Sequence, residues 1–310
     1  MSRSGSKARL QGIVPPVVTP LASYDELDVE GLERVVFHLL EGGVHGLFLL
    51  GSTGEGPALS YRLRRELVDR VCRLVGSRVP VLVGVTDCAY AEAVNMAEYS
   101  ARAGAAAIVS APPFYFQYDQ VDLLHAMETL ASISPIPLYL YNMPGLVKTT
   151  FEVATVARAA QIENIRGFKD SSGDLQYLAK VLEVVGNKHP EFSILVGPEH
   201  LLSDALMLGA HGGVPGGANL FPRLPVRVYE AYLEGRLDEM RAFQREMDRI
   251  GTPIWNGYGS APRHLIRLKA ALAAMGLCSP NPAWPYQAVA PEEVKQIAAH
   301  LEASGLLAKS

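Results

Sequence analysis

Two stretches, Pro137-Leu138-Tyr139-Leu140-Tyr141 and Ile165-Arg166-Gly167-Phe168-Lys169, are short, largely apolar runs that each end on a polar side chain. A strand reads this way when both its faces are covered, as in a parallel sheet flanked by helices. The pattern recurs at Ile13 to Thr19, Gly46 to Leu50, Val79 to Val85, Ala106 to Ser110, Phe192 to Val196 and Gly212 to Gly216, which makes eight strand candidates. Amphipathic segments lie between them. Val29, Leu32, Val35, Val36, Leu39 and Leu40 mark one helix face that ends at Gly42-Gly43, and Ser60 and Ser172 to Asp174 are placed to cap the helices that follow them. Eight alternations in about 225 residues predict a (β/α)8 TIM barrel rather than a doubly wound sheet with a second domain. Past Gly235 the strands stop, and Leu237, Met240, Phe243, Met247 and Ile250 continue at helical spacing, followed by helical patterns near Arg263 to Met275 and Pro291 to Ala303. The expected organisation is a flexible N-terminus (1–11), the barrel (12–235) and a C-terminal helical extension (236–310). Corners are expected at Thr252-Pro253 and at Ser279 to Pro285.

Composition narrows the function classes. Of the 310 residues 49% are hydrophobic and 19% charged, and 28 Lys plus Arg against 32 Asp plus Glu give a net charge of -4 with no basic block. Nucleic acid is therefore not an expected partner. The basic opening, 1–9, runs into an apolar stretch broken by Pro15 and Pro16, and no apolar run approaches the ~18 residues of a membrane span. Three scattered cysteines, Cys72, Cys88 and Cys278, fit free thiols in a reducing compartment, so a cytoplasmic location is expected.

In a barrel of this kind chemistry sits at the C-terminal ends of the strands. Lys169 ends one strand. An amine nucleophile must be unprotonated, and burial at the barrel mouth disfavours the ammonium. Position alone leaves a second reading, a lysine that leaves the barrel and pairs with Asp170. Tyr141 closes another strand, ahead of Asn142 and Pro144, where a phenol can pass protons. Gly51-Ser52-Thr53-Gly54-Glu55-Gly56 follows the second strand and lacks P-loop spacing; it is either an anion-binding nest or a plain turn. Gly212-Gly213-Val214-Pro215-Gly216-Gly217 offers backbone access or simple packing. The eight histidines are dispersed, with no HxH or HExxH pair and no GxSxG elbow, so neither a metal nor another cofactor is expected.

Together, Gly51-Ser52-Thr53-Gly54-Glu55, Tyr141-Asn142-Met143-Pro144 and Gly167-Phe168-Lys169-Asp170 resemble the signatures of the dihydrodipicolinate synthase and N-acetylneuraminate lyase superfamily, the pyruvate-handling class I aldolases. The resemblance implies that Lys169 forms an imine with a 2-keto acid, that Tyr141 is the general acid/base and that Ser52 relays protons. It further implies that Thr53 holds the keto-acid carboxylate, that Gly51 and Val214 line the substrate site, and that Tyr115 supplies a second tyrosine, in relatives often to a neighbouring subunit. A homo-oligomer, dimer or tetramer, is implied too. Dihydrodipicolinate synthases usually place an Arg two residues after the proline, where this chain has Leu146, with Lys148 as the nearby cation. Sialic-acid lyases often carry an acidic pair after the seventh strand, of which Glu199 is the remnant. The expected activity is therefore that of a lyase joining or releasing pyruvate and a neutral aldehyde, as in 2-keto-3-deoxy sugar acid aldolases. Dihydrodipicolinate synthase and N-acetylneuraminate lyase are the alternatives; a phosphate-binding barrel enzyme or a non-catalytic binding barrel would be different classes.

Overall fold

The structure, a computed structural model, describes residues 9–186, 188–255 and 261–308. Residues 1–8 of the expected N-terminal segment lie outside them. Eight parallel strands form one sheet: β1 (Gly12–Ile13), β4 (Leu47–Leu49), β5 (Val81–Gly84), β6 (Ala107–Ser110), β7 (Leu138–Asn142), β8 (Ile165–Asp170), β9 (Ser193–Val196) and β10 (Gly212–Gly213). Between β1 and β4 stands a small antiparallel hairpin, β2 (Leu21–Ser23) and β3 (Glu26–Leu27), which the apolar periodicity did not mark. The sheet order runs β1-β10-β9-β8-β7-β6-β5-β4. It closes into a barrel where Val17 N–H donates to Phe48 O (2.8 Å) and Phe48 N–H to Pro15 O (2.9 Å).

The first and last barrel strands are shorter than the sequence suggests. Pro15 and Pro16 follow β1 and Pro215 follows β10; without an N–H these residues cannot donate to a ladder, so the regular pairing stops before them.

The major helices are α1 (Val29–Glu41), α2 (Tyr61–Val75), α3 (Tyr90–Ala103), α4 (Gln120–Ile133), α5 (Pro144–Val147), α6 (Val153–Ala159), α7 (Leu175–Val181), α8 (Leu202–Met207), α9 (Arg223–Leu233), α10 (Leu237–Trp255), α11 (Ala261–Ala274) and α12 (Pro291–Ala303). Ser60 caps α2 by accepting from Leu63 N–H, and Asp174 caps α7 by accepting from Gln176 and Tyr177 N–H. The expected corner at Thr252-Pro253 is instead the last turn of α10. The helix runs through because Arg249, whose carbonyl loses its donor at Pro253, lies on the exposed face, where water can replace that donor.

Strand alternation separates two cores. Phe48, Leu82, Ala107, Val109, Tyr139, Tyr141, Leu195 and Val214 point into the barrel, while Leu47, Leu49, Val81, Val83, Ile108, Leu138, Leu140, Phe168, Ile194 and Val196 join the outer core beneath the helices. Both faces are thus apolar, which is why the strands read as unbroken runs.

Glycine is forced where β1 meets β10. Gly212 has φ +153°, and a Cβ there would lie 2.0 Å from Gly12 O. Gly212→Ala should therefore destabilise the barrel by about 2–3 kcal/mol through overpacking; an unchanged urea midpoint would show that the β1–β10 contact can relax.

Candidate active site

Parallel register brings the first two candidates together. Tyr141 and Lys169 are Cα partners across β7 and β8, so their side chains leave the same face, into the barrel. Lys169 is 7% exposed; its Nζ lies 3.9 Å from the Tyr141 ring centroid and 5.0 Å from that of Phe48. Phe48 and Tyr141 themselves meet edge to face. Gly167 makes room for this layer, since a Cβ there would fall 2.4 Å from the Tyr139 ring.

The next residue points the other way. Asp170 is buried, accepts from Asn142 Nδ2 (2.8 Å) and from Ser172 Oγ (2.8 Å) and N–H (3.1 Å), and forms no ion pair with Lys169. Burial raises its pKa, and the Asn142 and Ser172 hydrogen bonds offset only part of that rise. The alternative in which Lys169 pairs with its neighbour therefore fails on alternation alone.

Ser52 Oγ stands 3.4 Å from the Tyr141 hydroxyl. Burial pushes the Tyr141 phenol up, but the Lys169 ammonium and hydrogen bonds with Ser52, Ser171 and Lys169 together outweigh it, and the net direction is down. An amine, a phenol and a hydroxyl so placed can add to a carbonyl and move the protons that addition and dehydration require.

The loop that carries Ser52 and Thr53 is bracketed by two non-glycine residues in the left-handed region, Leu50 (φ 58°) and Glu55 (φ 55°). Glu55 forms a buried ion pair with Lys269 of α11; the two side chains are 6% and 1% exposed. Its other oxygen accepts from Ala283 N–H (2.8 Å), and Lys269 also donates to Asn281 O (2.9 Å). Thr53 Oγ1 is 3.8 Å from where a Cβ on Gly216 would stand, so this loop faces the one after β10. Val214 is buried in the barrel interior with Tyr141, and Gly51 lines the mouth, where a Cβ would strike the Phe48 ring.

Above these residues opens a cavity of about 270 Å³ lined by Gly51, Ser52 and Tyr141 and by apolar walls that include Phe114, Met143, Leu146, Pro262, Leu265 and Tyr286. Leu146 is 40% exposed at its mouth; Lys148 is exposed and is not part of the lining. Tyr115 is not brought to Lys169 within the chain: it is 79% exposed and packs edge to face on Phe116.

Glu199, the expected remnant of a hydroxyl-binding pair, has other work. Its carboxylate accepts from Gly217 N–H (2.5 Å) and Trp255 Nε1–H (2.6 Å), clamping the loop after β10 to the end of α10.

Sequence reading found the strand-end residues but missed Glu55, Lys269 and the cavity walls from the C-terminal segment. One signal was present: Lys269 interrupts the apolar run Leu268, Ala270, Ala271 and Leu272, where a charge needs a partner.

Lys269→Met should cost about 3–5 kcal/mol in urea unfolding, because it leaves a buried carboxylate unpaired, and adding Glu55→Gln should restore part of the loss. Equal losses in the single and double variants would mean that the two side chains act independently. Burial also pushes Glu199 up to about 7. A carboxyl raised in the folded state contributes stability that is complete below its unfolded value near 4.5 and lost as pH climbs through 7. His211, lowered to about 4, acts with the opposite sign, so the comparison must be with a variant. The stability of wild type relative to Glu199→Gln should fall by on the order of 2 kcal/mol between pH 4.5 and 8; a constant difference would place Glu199 as a carboxylate throughout.

Comparison with known proteins places the arrangement. The dihydrodipicolinate synthetase family matches residues 9–304. A DapA-like lyase of Halobacterium salinarum is 33% identical over 88% of this chain and 87% of its own, and the probable 2-dehydro-3-deoxy-D-pentonate aldolase YjhH of Escherichia coli is 34% identical over 74% and 76%. Among solved structures, the dihydrodipicolinate synthase of Bacteroides thetaiotaomicron superposes with a TM-score of 0.91 at 44% identity, covering 95% of this chain and 98% of that one. YagE of Escherichia coli, solved with pyruvate, gives 0.91 at 27% identity, covering 97% and 100%. The chain belongs to the dihydrodipicolinate synthetase family, as a lyase of the Schiff-base, class I aldolase type.

Proposed function

We propose that this chain interconverts a 4-hydroxy-2-keto acid with pyruvate and an uncharged aldehyde, the reaction type of 2-keto-3-deoxy sugar acid aldolases. The observation that carries the reading is the Lys169 amine held over the Tyr141 ring, with Ser52 on the phenol. Lys169 adds to the C2 carbonyl, and water leaves to give an imine. The imine accepts the electron pair released at C3 when the C3–C4 bond breaks, and the C4 hydroxyl gives up its proton as the aldehyde departs. Tyr141, relaying through Ser52, moves these protons, while Thr53 holds the C1 carboxylate and Gly51 and Val214 border it. The pyruvate bound by YagE supports the keto-acid half. Tyr115, exposed within the chain, would serve a second copy in a homo-oligomer, and a cytoplasmic location fits the free cysteines.

The uncharged aldehyde rests on Leu146, which lines the mouth where a carboxylate-bearing acceptor needs a cation. Relatives of both kinds occur, with a 4-hydroxy-tetrahydrodipicolinate synthase of Methanopyrus kandleri 29% identical over 96% of this chain and 98% of its own. Condensation with aspartate semialdehyde is therefore the second reading.

Borohydride added with pyruvate should leave one covalent adduct, on Lys169, and Lys169→Ala should lose both adduct and turnover. An adduct on Lys148 or Lys180 would refute the assignment. Aspartate semialdehyde should be a poorer acceptor than glyceraldehyde by about one to two decades in kcat/KM, the effect of one missing charge-assisted hydrogen bond, and Leu146→Arg should narrow that gap. A tenfold preference for aspartate semialdehyde in the native enzyme would establish the second reading instead.

A further inference from the structure

We infer that the aldehyde half of the substrate carries an apolar alkyl or aryl group. This rests on the proposed function, keeping its reaction and its uncharged aldehyde but replacing the hydroxyls of a sugar with apolar surface. The aldehyde must lie in the cavity above Ser52 and Tyr141, because that space adjoins the proposed proton-transfer residues. Its apolar walls include Phe114 after β6, Met143 and Leu146 around the start of α5, Pro262 and Leu265 on α11, and Tyr286 beyond it. Phe114, Leu146 and Tyr286 remain 41%, 40% and 42% exposed, an uncovered apolar rim around an apolar hollow.

The polar groups on these walls are already engaged. Ser52 serves Tyr141; Thr86 Oγ1 accepts from Ala111 N–H (2.8 Å); Glu55 spends its two oxygens on Ala283 and Lys269. Glu199, after the seventh barrel strand, is held by Gly217 and Trp255. Among the side chains of the described lining residues, the Thr86 hydroxyl proton and the Tyr286 phenol are the groups left without a partner for a ligand's hydroxyls. A polyhydroxylated aldehyde would bury hydroxyls without partners, which is unfavourable, whereas an alkyl chain gains roughly fourfold in affinity per buried methylene.

In the synthetic direction the step balances without a further reagent. The enamine on Lys169 attacks the aldehyde carbon and a carbon–carbon bond forms. The carbonyl oxygen takes the electron pair and a proton from Tyr141, and hydrolysis of the imine releases the 4-hydroxy-2-keto acid and the free amine.

The test measures kcat/KM of the full chain for pyruvate addition to butanal, benzaldehyde, glyceraldehyde and aspartate semialdehyde. Butanal or benzaldehyde should exceed glyceraldehyde at least tenfold. Leu265→Asn and Leu146→Asn should each lower the ratio of butanal to glyceraldehyde fivefold or more. Glyceraldehyde equal to or better than both apolar aldehydes, or a ratio unmoved by both variants, overturns the inference and leaves the proposed function intact provided that aspartate semialdehyde is the poorest acceptor. Aspartate semialdehyde as the best acceptor overturns both.

Discussion

The buried ion pair between Glu55 and Lys269 is the contact on which the site and the C-terminal helices both depend. Two charges are removed from water, a cost that only close pairing and further hydrogen bonds offset, and Ala283 and Asn281 supply those bonds. Burial lowers the pKa of Lys269 and the Glu55 carboxylate draws it back only in part. A pair of this kind fixes geometry more than it adds stability. What it fixes here is a loop whose ends, Leu50 and Glu55, sit in a backbone conformation costing on the order of 1–3 kcal/mol each for residues with a Cβ. Ser52 and Thr53 lie between those ends. The C-terminal segment therefore reaches the chemistry twice, by anchoring this loop and by walling the cavity with Pro262, Leu265 and Tyr286.

Placement of Tyr141 and Lys169 rests on a different constraint, parallel register with alternating faces. Because Tyr141 stands opposite Lys169, one interior layer holds both, and Phe48 closes the aromatic box around the amine. The same alternation sends Asp170 out of the barrel, where Asn142 and Ser172 hold it. A one-residue slip between β7 and β8 would exchange these roles, leaving the carboxylate in the barrel and the amine beneath the helices. Asp170 and Asn142 are themselves Cα partners joined by a side-chain hydrogen bond, which reinforces the register from outside.

How far the sequence could be read follows from the range of each interaction. Strand identity, the Ser60 and Asp174 caps and the polar strand ends are local signals, and the structure carries them. Shortening of the first and last strands is local too, since Pro15, Pro16 and Pro215 stand in the sequence itself and offer the ladder no N–H. The β2–β3 hairpin is too short for periodicity to mark. The pairing of Glu55 with Lys269 joins two distant segments, and nothing in the periodicity of either one names the other. Lys269 signals only that some acid must meet it. Cavity walls are less legible still, because Phe114, Leu146, Leu265 and Tyr286 each look like ordinary apolar residues until the barrel closes and the tail folds back.

Three side chains near the cavity share a direction. Leu146 puts an alkyl side chain on the cavity wall, Lys148 stays outside the lining, and Glu199 is held in a clamp between Gly217 and Trp255. Each leaves the outer part of the cavity without a charge or a free hydrogen-bonding group. On the other side Ser52, Tyr141 and Lys169 retain their contacts with one another, with Thr53 on the same loop. On the proposed reading the polar groups stand where all 2-keto acids look alike, at C1 and C2, and are sparse where they differ. A cavity divided in this way discriminates among aldehydes by area buried rather than by hydrogen bonds, and burial alone separates near neighbours by only ~0.8 kcal/mol per methylene. The inferred apolar aldehyde would then be one of a series of related acceptors rather than a single one.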